Sequence, residues 1–218
     1  MHSTNAWIYG RIVNNMLATI PSPPASFVID DFLRQELEEH GYVFEATRRE
    51  LQHSFGRVLD ILDDGARRGG KLLLFGNGGS AADAQHIAAE LVIRYKSDRP
   101  AIAALALTTD SSALTACGND LGFDALFSRQ VEALARKDDV AIGLSTSGRS
   151  ANVLAGLREA RRKGARTVGL AGGDGGGMPD CCDAIIVVPS RVTARIQEMH
   201  ILIGHMLCKA LEQRLGFV

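Results

Sequence analysis

No stretch of this chain approaches the ~20 consecutive apolar residues that a membrane-spanning helix requires, although 46% of its 218 residues are hydrophobic. No membrane role is expected. An excess of one charge is also lacking: 24 Lys plus Arg stand against 25 Asp plus Glu. That balance argues against a nucleic-acid partner, which calls for bulk positive charge. Residues 1–20 lack a basic start followed by an unbroken apolar core, so no secretory signal is expected. Cysteine is scarce, and Cys117, Cys181, Cys182 and Cys208 form no C-x-x-C pair. Adjacent Cys181 and Cys182 are poor partners for each other, which points to reduced, buried thiols in a cytoplasmic protein. Proline is sparse too, and half of it (Pro21, Pro23 and Pro24) sets the first residues apart. Residues 1–26 are expected to be a poorly ordered extension or a loosely docked arm. The remainder, 27–218, has the length of one domain with a substantial core.

What is present is a strict alternation. From Ile29 to Ala66 the apolar residues Phe32, Leu33, Leu37, Val43, Phe44, Leu51, Phe55, Val58, Leu59 and Leu62 recur at helical spacings, with Gly41 expected to bend or break the helix. Five short apolar runs follow, each expected to be a strand: Lys71–Phe75, Ile102–Leu107, Val140–Leu144, Thr167–Ala171 and Ala184–Val188. Helical segments lie between them, and a last helix covers about Thr193 to Leu215. Strands alternating with helices predict an α/β fold, a five-stranded parallel sheet covered by helices on both faces. Gly172–Gly177, which holds five glycines and Asp174, is expected to be a flexible structural loop.

In such sheets ligands bind beyond the carboxyl ends of the strands. Two loops there have suitable chemistry. Ser145-Thr146-Ser147-Gly148-Arg149-Ser150 places four hydroxyls and a glycine between a strand and a helix start. Free N–H groups and the positive end of the helix dipole favour an anion there, and neutral hydroxyls can wrap a phosphate. Helix capping would need only one hydroxyl. Gly76-Asn77-Gly78-Gly79-Ser80, after the first strand, allows close backbone approach to a ligand. Forced into a dinucleotide fingerprint it lacks the acidic residue about twenty positions on.

The helix after the glycine loop carries His86, Glu90 and Arg94 four residues apart, on one face. Two residues at i and i+4 can converge on one ion. A solvent-facing stripe with a Glu90–Arg94 ion pair accounts for the same spacing. The last helix supplies Gln197, Glu198, His200 and His205 among apolar neighbours, and spacing alone does not choose between the two histidines.

Together these motifs, with Gly118-Asn119-Asp120 and Arg195-Ile196-Gln197-Glu198-x-His200, resemble the sugar-isomerase (SIS) domain family and its bacterial heptose-phosphate isomerase branch. The resemblance runs from about Asp31 to Leu215. It implies a flavodoxin-like SIS domain with N-terminal helices, and conversion of sedoheptulose 7-phosphate to D-glycero-D-manno-heptose 7-phosphate through an enediol. That reaction begins the synthesis of nucleotide-activated heptose for lipopolysaccharide and other bacterial surface glycans. It further implies substrate contacts from Asn77, Gly78, Gly79, Glu90, Asn119, Asp120, Ser145, Thr146, Ser147, Ser150 and Gln197. His86, Glu90, Gln197 and His205 match the family's ligands for one zinc ion per subunit, and Glu90 and His205 its acid–base pair. Ala194 stands where some members carry Asp. A non-catalytic relative that binds the bacterial replication initiator lacks the Glu and the last His, both of which are kept here.

Gln197 and His205 are eight residues apart, about 12 Å along a helix and ~80° apart in direction. One zinc accepts ligands at only ~2.0–2.2 Å. Either Gln197 lies in a non-helical turn, or one of the two reaches in from a neighbouring subunit. Apolar helices and the family resemblance predict a homotetramer with composite sites.

Overall fold

The computed structural model describes residues 27–218. The expected extension, residues 1–26, lies outside the described residues. The chain divides into a unit ending at Glu38 and a second unit, Glu39–Val218, which holds the sheet.

One helix, α1 (Ile29–Arg67), crosses that division without interruption. Gly41 does not break it. Glycine weakens a helix by about 1 kcal/mol relative to alanine but keeps its backbone N–H, so a single one can be carried within a long helix. In the first unit Phe32, Leu33 and Leu37 remain exposed. In the second, Val43, Val58, Leu59, Ile61 and Leu62 of α1 are buried.

Five parallel strands follow, each leading into helical or loop segments: β1 (Leu72–Gly76), α2 (Gly79–Val92), β2 (Ala104–Ala106), α3 (Ser111–Asp120), a 3₁₀ turn, α4 (Leu126–Leu134), β3 (Val140–Ser145), α5 (Ala151–Arg162), β4 (Arg166–Gly172), β5 (Ala184–Val188) and α6 (Thr193–Arg214). The strand order is β2-β1-β3-β4-β5. The second strand is shorter than its apolar run implies, because as an edge it pairs only with β1, over three residues. Alternate residues face opposite sides of the sheet. Leu72 and Leu74 join one core with α1, α2 and α6, while Leu73 and Phe75 join another with α4 and α5. The Phe75 and Phe127 rings stack there at 5.1 Å.

All four cysteines are free, and Cys117, Cys181 and Cys208 are buried. Burial pushes the Cys182 and Cys208 thiols up to about 12, which leaves them protonated and unreactive at neutral pH. Among the described residues no helix is long and apolar enough to cross a membrane.

His200 belongs to this core. Its side chain is fully buried, and its Nε2–H donates to the Ala171 carbonyl at 3.1 Å. Burial pulls its pKa from 6.5 down to about 4, partly opposed by that bond. The folded state therefore prefers the neutral ring. The associated stability is complete above about pH 6.5 and is lost as the pH falls toward 4, amounting to about 3 kcal/mol at most. In urea melts at pH 7 and pH 4.5, His200→Leu should lose less stability on acidification than the parent. An equal loss in both would contradict this role for His200.

Candidate active site

The sheet order reverses between β1 and β3, which lie side by side with Phe75 opposite Gly143 and Gly76 opposite Leu144. Crossovers leave from this point in opposite directions, so the crevice beyond the two strand ends is uncovered. The glycine loop after β1 and the hydroxyl loop after β3 both open there.

Gly78 has φ 56°, a left-handed conformation, and no side chain caps α2. A Cβ at Gly76 would come within 2.8 Å of the Leu144 carbonyl, so the two strands leave room only for hydrogen. In the second loop Ser150 stands at the N-cap of α5 but makes no capping bond. Its hydroxyl instead meets that of Ser145 at 2.9 Å, while Ser147 Oγ accepts from the Arg149 N–H at 3.2 Å. The Ser150 hydroxyl is thus not spent on capping α5.

The glycine-rich segment after β4 is a brace rather than a free loop. The Gly177 N–H donates to the Gly148 carbonyl at 2.9 Å. Gly148 has φ +63°, and a Cβ there would overlap the Gly175 carbonyl. Arg149 reaches Asp174 from across the contact, at 3.0 and 2.7 Å. Arg149, together with the Gly176 N–H, holds the Asp174 carboxyl down to about 2. A cavity of about 310 Å³ lies between Thr146, Ser147, Arg149 and Asp174 on one side and Ser190, Arg191 and Thr193 on the other.

Asn77 and Asn152 join the two loops directly. Each amide donates to the other's oxygen, at 2.8 and 2.9 Å, and Asn152 is 2% exposed. The side chain of Asn77, expected to contact substrate, is therefore engaged in holding the loops in register. Asn152 was not legible as a site residue. Its only sequence signal is a polar residue between apolar neighbours in the first turn of a helix.

Beside the crevice α2 and α6 run parallel and close. A Cβ on Gly79 would overlap the Gln197 amide, and one on Gly204 would stand 2.6 Å from Ile87 Cδ1. This approach brings His86, Glu90 and His205 together, with one ligand atom from each lying within 4.8 Å of the others. The two Nε2 atoms are 2.9 Å apart, and His86 Nε2 is 3.4 Å from Glu90 Oε1. Ligands at ~2.0–2.1 Å around a tetrahedral ion are separated by about 3.3 Å, so the group has the spacing and the N/O donors that suit zinc. Asp83, one turn before His86, has a buried Oδ2 with no hydrogen-bond partner. Burial raises its pKa to about 6, partly opposed by His86.

Other expected site residues stand outside this three-residue cluster. Gln197 sits on Gly79 at the start of α2, seven residues or about 10 Å along the helix from His86. Asn119 and Asp120 are the exposed end of α3, where Asn119 donates to Asp120 at 2.6 Å. Arg94 falls beyond the end of α2 at Val92. The stripe stops at Glu90, and among the described residues no Glu90–Arg94 pair forms.

The SIS domain profile matches residues 37–172. The phosphoheptose isomerase of Paramagnetospirillum magneticum is 56% identical over 181 residues, covering 83% of this chain and 94% of that protein. Among solved structures, phosphoheptose isomerase from Neisseria gonorrhoeae superposes with a TM-score of 0.80 at 39% identity, over 85% of this chain and all of that one. The Francisella tularensis enzyme gives 0.82 at 34%, over 86% of this chain and all of that one.

Breaking the amide pair leaves a buried group unsatisfied, at a cost of about 1–3 kcal/mol. Asn152→Asp keeps the shape but removes the donor to Asn77 Oδ1. Urea denaturation should show a loss of that size, and an unchanged midpoint would mean that the pair does not hold the loops.

Proposed function

The chain belongs to the SIS domain family, and from that premise we propose that it is a phosphoheptose isomerase, converting sedoheptulose 7-phosphate to D-glycero-D-manno-heptose 7-phosphate. The observation that carries this reading is the convergence of His86, Glu90 and His205 beside the crevice into which the hydroxyl loop opens. Glu90 and His205 are the two groups that a non-catalytic replication-initiator partner would lack, so the enzyme is favoured.

The ketose binds with its phosphate against Ser145, Thr146, Ser147, Ser150 and the uncapped N-terminus of α5. The backbone at Gly78 and Gly79 lines the sugar. Asn119, Asp120 and Gln197 serve as further contacts. The Glu90 carboxylate removes the proton from C1, giving the enediol, and returns it to C2, while His205 passes the other proton between the two oxygens. One zinc ion per subunit suits His86, Glu90 and His205, held loosely enough to leave Glu90 free as the base, and when bound it would supply Lewis-acid polarisation of the carbonyl. In this chain Gln197 lies at the opposite end of α2. It therefore fits as a ligand delivered by a neighbouring subunit, which makes the sites composite and the assembly a homotetramer. A cytoplasmic location and a place at the start of nucleotide-activated heptose synthesis, feeding lipopolysaccharide, follow from the same reading.

NMR of purified protein with sedoheptulose 7-phosphate should show an aldose phosphate accumulating. Glu90→Gln keeps shape and loses basicity, so turnover should fall at least ~10²-fold. Near-normal turnover in a folded variant would remove Glu90 from this role. Light scattering at assay concentration should give a tetramer, and a fully active monomer would rule out the composite site.

A further inference from the structure

Arg99 and Glu212 form an ion pair whose side chains are 0% and 2% exposed. Arg99 Nε donates to Glu212 Oε1 at 2.7 Å. The other guanidinium nitrogens donate to main-chain carbonyls: Nη2 to Glu90 at 2.8 Å, and Nη1 to Leu91 at 2.8 Å and Pro100 at 2.9 Å. Glu90 and Leu91 lie in the last turn of α2, whose carbonyls have no partner within the helix. A cation is also favoured there by the helix dipole. Arg99 therefore caps the end of α2 that bears Glu90, while Glu212 anchors it to α6.

Glu212 is seven residues beyond His205, two turns along the same face of α6. Its Oε1 also accepts the Tyr95 backbone N–H at 3.3 Å. The Tyr95 ring in turn lies against the His205 imidazole, with centroids 5.4 Å apart. One buried pair thus reaches the site by three routes: the Glu90 main chain, the α6 helix, and the ring packed on His205. For stability alone, well-packed apolar residues serve as well as a buried pair or better. They supply no directed hydrogen bonds to the end of α2.

We infer that Arg99 and Glu212 are positioning residues that hold Glu90 and His205 at metal-binding distance from each other. This inference rests on the metal reading given above. Contacts that orient metal ligands typically change metal affinity 10–100-fold when lost.

The test titrates Co²⁺ into the full-length protein stripped of metal, following cobalt absorption. The Arg99→Met/Glu212→Met double variant strands neither charge, and Arg99→Lys keeps the pair but loses the fork that reaches the carbonyls. Both should bind Co²⁺ at least ~10-fold more weakly while remaining folded by circular dichroism. Lys71→Met breaks a different ion pair, with Asp139 at the opposite end of β1, and should lower Tm without changing Co²⁺ affinity. Co²⁺ affinity within about twofold of the parent in folded variants would overturn the inference and leave the metal reading standing, since twofold falls well short of that range. If the double variant does not fold, Arg99→Lys decides by the same criterion. A parent protein that takes up no Co²⁺ would overturn both.

Discussion

Two helices that approach too closely for ordinary side chains are the constraint on which the site depends. Where α2 meets α6, glycine occupies position 79 against Gln197 and position 204 against Ile87. A Cβ at either position would have to push aside the end of the Gln197 or Ile87 side chain. Across the same seam His86 and His205 face each other at 2.9 Å. The imidazoles and the Glu90 carboxylate are polar groups at the margin of an apolar seam. Their convergence is held by packing and by main-chain contacts at the helix ends rather than by their own attraction.

The loops at the strand ends follow a different rule. The cation of the hydroxyl loop, Arg149, is committed to Asp174. The hydroxyls of that loop remain, with Arg191 across the cavity from them. Rigidity comes from behind. The Asn77–Asn152 pair ties one loop to the other, and the segment after β4 packs its backbone onto Gly148. A sugar phosphate spanning the crevice would then meet donors already in position, which spares the ordering entropy that flexible loops lose on binding.

Burial sorts the titratable groups between scaffold and site. His200 and His205 share a helix and differ by five positions. The first is sealed under the Ala171 carbonyl and kept neutral, while the second stays partly open beside His86. Both lie among largely apolar neighbours in sequence, so the direction in which each points from α6 separates a core residue from a member of the cluster with His86 and Glu90.

The sequence alone determined the alternation of strands and helices, the parallel sheet and the two polar loops at the ends of β1 and β3, because hydrophobic period and glycine placement are local properties. It also carried the pairing of His86 with Glu90, which one helix fixes at i and i+4. Tertiary structure decided what spacing leaves open. It chose His205 over His200, ended the polar stripe before Arg94, and kept α1 whole through Gly41. It also set Gln197 at the far end of α2, drew Asn152 to Asn77 across 75 residues and Arg99 to Glu212 across 113. Such contacts depend on the distance between helix axes and on which face each helix buries. Those quantities arise only when separate elements pack, and no single segment contains them.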